Sequence, residues 1–244
     1  MRGPLSLIST SLSYARTQQT LVGVTLWLLL LPGVVVQTVP RLMEERAGDV
    51  LFLTTTQQSS FILITFLIML ACSVVMLWGG ACVIVIGRKL VRSRAGRKRS
   101  SVRSVMGEAR TYIIPLILTG ILRACMTLLW SLLLVIPGII YAVRTSMYSI
   151  IVITEGISYR ASLRRSKEIV SGATWAVLWR TVAIFAVLFL PIHILSIFFE
   201  AMTKSSVSIG LPLMTDVIIA SLFAPMTALS TFAMMVMFDD LKRR

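Results

Sequence analysis

The chain has 244 residues, of which 57% are hydrophobic and only 14% charged, and its mean hydropathy is +0.88. A water-soluble domain covers its core with roughly 25% charged residues, so this composition excludes an ordinary soluble globule. The net charge of +14 does not imply nucleic acid, because nine of the 24 Lys/Arg fall between Arg88 and Arg110. Most of the others sit in short loops beside apolar runs, the pattern by which membrane proteins set their orientation.

In chain order, the first apolar run covers about residues 20–39, after a polar N-terminus carrying Arg2 and Arg16. The basic start and apolar run have the form of a signal peptide. Yet the run is long, and Val34-Val35-Val36-Gln37 is a poor cleavage site, so it is expected to stay as a first span. Pro32-Gly33 predicts a kink within it. The loop that follows sets Glu44, Glu45 and Asp49 against Arg41 and Arg46, and a second span is expected over about residues 60–87.

Residues 88–110 form a basic loop with Arg88, Lys89, Arg92, Arg94, Arg97, Lys98 and Arg99 in its first half. The third span, about 111–136, runs into Pro137-Gly138, which predicts a tight hairpin. A short fourth span covers about 139–154. From 157 to 171 the period changes: Tyr159, Leu163, Ser166 and Val170 share one helical face, opposite Arg160, Arg164, Lys167 and Glu168. This is an amphipathic helix, expected to lie along the headgroups. The fifth and sixth spans cover about 173–199 and 217–238, and the sequence closes on Asp239-Asp240-Leu241-Lys242-Arg243-Arg244.

The expected fold is therefore all-α: one membrane domain with six transmembrane helices, one interfacial helix and no internal repeat. Both termini are expected in the cytoplasm. That orientation gathers 18 Lys/Arg on the cytoplasmic side and leaves Arg41, Arg46 and Lys204 on the other.

Arg123, Arg144, Glu155, Arg180 and Asp216 fall within or at the edge of spans, where an ionisable group needs a partner or a route to the headgroups. Arg180, near Trp175 and Trp179, can snorkel. Counted from Pro137-Gly138 at about 1.5 Å per residue, Arg123 and Glu155 lie about 21 and 25 Å down adjacent helices, which predicts a pair. Arg144 and Asp216 form a second candidate pair, with Asp216 alternatively a first-turn residue favoured by the helix dipole.

No catalytic or metal-binding constellation is visible. His193 is the single histidine, and Cys72, Cys82 and Cys125 lie inside apolar runs without ligand spacing. No cofactor is expected. The basic stretch lacks the aromatics that stack single-stranded bases. It is instead expected to hold anionic lipid headgroups through Arg88, Lys89, Arg92, Arg94, Arg97, Lys98 and Arg99. Arg160, Arg164, Arg165 and Lys167 add to the same surface, and a membrane-protein partner is the other candidate.

Leu132 to Gly138 (LLLVIPG), Arg144, Glu155-Gly156-Ile157-Ser158, Ala161-Ser162-Leu163-Arg164-Arg165-Ser166 and Gly172-Ala173-Thr174-Trp175 follow a recurring order. With Phe238-Asp239-Asp240-Leu241-Lys242-Arg243 at the end, this order resembles the glycerophosphodiester phosphodiesterase membrane-domain family and related six-span bacterial membrane proteins. The last motif departs from the family pattern in carrying Phe for Tyr and Lys for Arg. The resemblance covers about residues 100–244 and implies a six-helix fold in a bacterial inner membrane. That family is named for a soluble phosphodiesterase domain with His and carboxylate residues. These 244 residues show no such domain, and no catalytic residue carries over. Three function classes stay open: a non-catalytic module that organises lipid or a partner, a transporter or channel lined by the intramembrane charges, and a lipid-active enzyme.

Overall fold

The computed structural model describes residues 3–16, 19–45, 55–92, 101–203 and 210–243, and every regular element among them is helical. The helices are α1 (Pro4–Arg16), α2 (Gln19–Val24), α3 (Leu31–Glu45), α4 (Thr55–Arg92), α5 (Val102–Arg110) and α6 (Ile113–Leu133). They continue as α7 (Val135–Arg144), α8 (Tyr148–Glu155), α9 (Tyr159–Val170), α10 (Thr174–Thr203) and α11 (Gly210–Lys242).

Six segments are long and apolar enough to cross a membrane: Thr20–Pro40, Ser59–Lys89, Ile113–Leu133, Val135–Glu155, Thr174–Met202 and Leu213–Lys242. The protein is thus an integral membrane protein built as an all-α bundle. The outward faces are what lipid demands, with Ile62, Leu63, Phe66, Phe185, Leu190 and Ile197 all exposed.

The first span changes its helical form just before Pro32. Proline has no N–H for the carbonyl one turn back. The six residues Thr25–Leu30 adopt π-helical geometry, and the α-helix resumes at Leu31.

The hairpin between the third and fourth spans turns at Leu134, whose backbone is extended (φ −160°, ψ 133°), three residues before the expected Pro137-Gly138. Pro137 falls in the first turn of α7, where a missing N–H costs nothing. Gly138 is needed for closeness: a Cβ there would stand 2.9 Å from the Cα of Ser131 on α6.

The fourth span is also not one helix. It breaks over Thr145–Met147, between α7 and α8. Ser166 of α9 satisfies the broken backbone on both sides, accepting from Met147 N–H at 3.3 Å and donating to Arg144 C=O at 2.8 Å.

The core lies toward one end of the bundle. It gathers Ala81 to Ile86 of α4, Ile150 to Ile153 of α8 and Ala228 to Leu241 of α11. Two short helices unforeseen from the sequence close this end. α1 packs on α11 and α10 through Leu7 and the fully buried Ser11. α5 packs on α4, where Trp78 Nε1 donates to Met106 C=O at 3.2 Å.

Both terminal regions share this basic end of the bundle. Lys242 reaches Glu155, and Gly23 lies against Val102.

Candidate functional site

The basic end is built around three carboxylates, each held by two cations. Glu108 on α5 takes Lys89 at 2.7 Å and Arg88 at 3.7 Å. Glu155 closes α8 and takes Lys242 at 2.7 Å and Arg165 at 3.4 Å. Glu168 on α9 takes Arg165 at 3.3 Å and Arg164 at 3.7 Å. The Glu168 and Glu155 carboxylates raise the pKa of Arg165 further, so it stays cationic. Arg88 also donates to the C=O of Ile153 at 2.7 Å, tying α4 to α8.

These bonds need α9 to lie against α8, and the chain between them is made for that turn. α8 stops at Gly156, which takes the left-handed conformation (φ 72°) that a side chain disfavours. Tyr159 then enters α9 with φ 59°, and its N–H donates to Thr119 on α6 at 2.9 Å. Leu163, Ser166 and Val170 are buried and Arg160, Arg164 and Glu168 exposed, as the helical period requires. Tyr159 departs from that pattern: it is exposed, because its left-handed backbone starts the helix rather than continuing its face. Lys167 folds back over the Tyr141 ring at 4.3 Å, a cation–π contact.

The intramembrane charges do not pair with one another as expected. Arg123 donates to Thr145 Oγ1 and to the C=O of Ala142, both at 3.1 Å, and lies over the Tyr148 ring at 5.3 Å. It fastens the break in the fourth span and does not reach Glu155. The expected depth match assumed an unbroken helix from the hairpin to Glu155, and the break at Thr145–Met147 removes that assumption.

Arg144 donates from Nε to Thr174 Oγ1 at 3.3 Å, at the start of α10. Asp216 is buried near the far end of α11 and is not its partner. By helical rise Asp216 lies about 39 Å along α11 from Lys242. Arg180 is half-buried near the start of α10, beside exposed Trp175 and Trp179. Among the basic-loop residues, Arg94, Arg97, Lys98 and Arg99 lie outside the described residues, and Arg92 ends α4.

Cavities among the described residues include two on the flanks of the bundle. One, of about 490 Å³, is apolar and lies between the first and sixth spans, lined by Leu26, Leu30, Ala224 and Pro225. The other, of about 710 Å³, lies between α7 and the start of α10 and holds Arg144 and Thr174 among apolar walls. Neither contains Arg123, Glu155 or His193. His193 is exposed with its ring edge-on to Phe223, 5.4 Å away. No cluster of three or more His, Cys, Asp or Glu that could hold a metal occurs among the described residues.

A scan against protein-family models finds no match to this chain, and searches of curated proteins and of solved structures find none either.

Proposed function

We propose that this protein is a non-catalytic membrane module that gathers anionic lipid at its basic end. One observation carries the reading: Glu108, Glu155 and Glu168 are each already engaged by two cations. Arg103, Arg110 and Arg160 are left exposed, and none of them forms an ion pair among the described residues. Basic residues at a membrane surface each favour anionic headgroups by about 1 kcal/mol.

In this reading the basic end faces the cytoplasm, where Lys/Arg-rich loops are retained. The motif order from Leu132 to Trp175 supports a place among the phosphodiesterase-type membrane domains of bacterial inner membranes.

The test is tryptophan quenching in vesicles. The full chain is reconstituted in phosphatidylcholine with either brominated phosphatidylglycerol or brominated phosphatidylcholine as a minor component. Stronger quenching by the anionic lipid, lost on changing Arg103, Arg110 and Arg160 to Gln, is the expected result. Equal quenching by the two lipids refutes the reading. Labelling a Ser101→Cys variant, in a cysteine-free background, with an impermeant maleimide in inverted and right-side-out vesicles tests the orientation.

A second reading, a transporter, draws on the interrupted fourth span, since transporters bind substrate where helices break. Ser146 supports it, because its hydroxyl is buried in the break without a hydrogen-bond partner. Against it, Arg123 is already occupied by Thr145, Ala142 and Tyr148. Measured uptake that Arg123→Gln abolishes would favour transport over lipid binding.

A further inference from the structure

We infer that the cavity between α7 and α10 is a binding site for one anionic glycerophospholipid, with the phosphate at Arg144 and the acyl chains along the α7 wall. The inference rests on the lipid-gathering reading above and gives it a specific site. The cavity holds about 710 Å³, within the range of small-molecule sites. Its walls divide by chemistry. Ile136, Ile139, Ile140 and Leu178 make the apolar side, and Arg144, Gly172 and Thr174 make the polar mouth.

Arg144 is exposed, and its Nε is spent on Thr174. That bond fixes the guanidinium plane while its two terminal amino groups take no protein partner among the described residues. A guanidinium held in this way presents a planar fork that fits two phosphate oxygens. Lys167, over the ring of Tyr141, sits against α7 three residues before Arg144, though outside the cavity lining. No carboxylate lines the cavity.

The occupant must be lipid rather than a free phosphate because of what lies beyond the polar mouth. By helical rise, Leu134 stands about 15 Å along α7 from Arg144, whereas Thr203 stands about 43 Å along α10 from Thr174. The hairpin therefore ends roughly 28 Å short of the far end of α10, and past its tip α10 is uncovered on that side. Val182 and Phe185, four and seven residues beyond Leu178 and so on its face, stand about 12 and 17 Å along α10, level with the hairpin tip, and are both exposed at 46%. An acyl chain leaving the cavity past Ile136 would lie against them. Exposed Trp175 at the mouth suits the headgroup layer.

The test is native mass spectrometry of the full chain released from detergent with added phosphatidylglycerol or phosphatidylcholine. The wild type should retain one phosphatidylglycerol in preference to phosphatidylcholine. Arg144→Gln should lower that retention about tenfold, and Arg144→Lys should restore part of it. Ala176→Trp, which fills the cavity, should expel both lipids. Arg243→Gln, an equal loss of charge just past the end of α11, should leave retention within about twofold. Thermal midpoints of all variants check that they fold.

If Arg144→Gln and Arg243→Gln cost the same, or Ala176→Trp changes nothing, this site is refuted while the basic end as a lipid-gathering surface still stands. If the wild type shows no preference for phosphatidylglycerol at all, both fall. Displacement of the lipid by millimolar glycerol phosphate would also refute the site, since it would make the acyl wall irrelevant.

Discussion

Lys242 Nζ lies 2.7 Å from Glu155 Oε1, joining the last turn of the sixth span to the end of the broken fourth. The two residues are 87 apart in sequence, so the contact ties the end of the sixth span to the end of the fourth across a long stretch of chain. Arg165 grips the other oxygen of the same carboxylate. The Glu155 side chain is only 13% exposed, against 49% for Lys242 and 40% for Arg165. The carboxylate is therefore the member whose loss is felt. Glu155→Gln should destabilise by about 1–2 kcal/mol after allowing for solvent screening of its partners. Lys242→Gln should cost less than about 1 kcal/mol. Thermal midpoints of detergent-solubilised protein measure both, and equal effects would show that solvent rather than burial sets the energy of this network.

Ser166 is the next place where one side chain holds two pieces of backbone. It is fully buried, and it bridges Met147 N–H and Arg144 C=O across the break between α7 and α8. Ser166→Ala removes the bridge and leaves two polar groups without their partner, at a cost of about 2–4 kcal/mol. Ser166→Thr keeps the hydroxyl and should recover part of it if the extra methyl is accommodated. Hydrogen exchange at Met147 is the local readout. It should accelerate in Ser166→Ala more than exchange at Ile151, which keeps its own bond to Met147 C=O.

The six apolar segments were legible in the sequence because span length is a property of composition, which tertiary contacts do not alter. The α9 faces were legible for a similar reason: one period fixes both its buried and its charged side. What failed was punctuation. Pro137 and Gly138 look like helix breakers, yet a proline is at home in a first turn, and a glycine is needed wherever two helices touch backbone to side chain.

The Arg123–Glu155 pair failed because its depth was measured along a helix that is in fact broken, whereas Arg144 is taken by Thr174 at the start of α10. No local signal marks that break, since it is stabilised by Ser166 from another helix. α1 was missed because Ser6, Ser9, Thr10, Ser11 and Ser13 lower helix propensity. Each of those hydroxyls bonds a carbonyl three or four residues back. The available signal was Leu7 and Ser11, buried at i and i+4.

Gly138 offers a test of close approach without charge. In Gly138→Ala the new Cβ would meet Ser131 Oγ and stand 2.9 Å from both Cα and Cβ of Ser131. Because one of those atoms is backbone, a rotamer change at Ser131 cannot make room, and the hairpin must open. The expected cost is about 1–3 kcal/mol. Ser131→Gly should rescue Gly138→Ala only partly, because the backbone of residue 131 still stands in the way. Full rescue would show that the clash was with the side chain alone.

Arg123 decides between the two arrangements of charge most directly. Its guanidinium bridges Thr145 Oγ1 and the C=O of Ala142, and it covers the Tyr148 ring at 5.3 Å. It therefore spans the break from the α6 side while Ser166 spans it from the α9 side. Lysine cannot make the same contacts, because a single ammonium lacks the planar fork. Arg123→Lys should accordingly lose nearly as much stability as Arg123→Gln, about 2 kcal/mol. The coupling partners should be Thr145 and Tyr148. A double-mutant cycle of Arg123→Gln with Tyr148→Leu should show about 1 kcal/mol of interaction. The cycle with Glu155→Gln should be additive within about 0.5 kcal/mol, since Glu155 is held by other cations at the end of α8. Strong coupling of Arg123 to Glu155 would restore the pairing across the hairpin and would require the fourth span to be continuous.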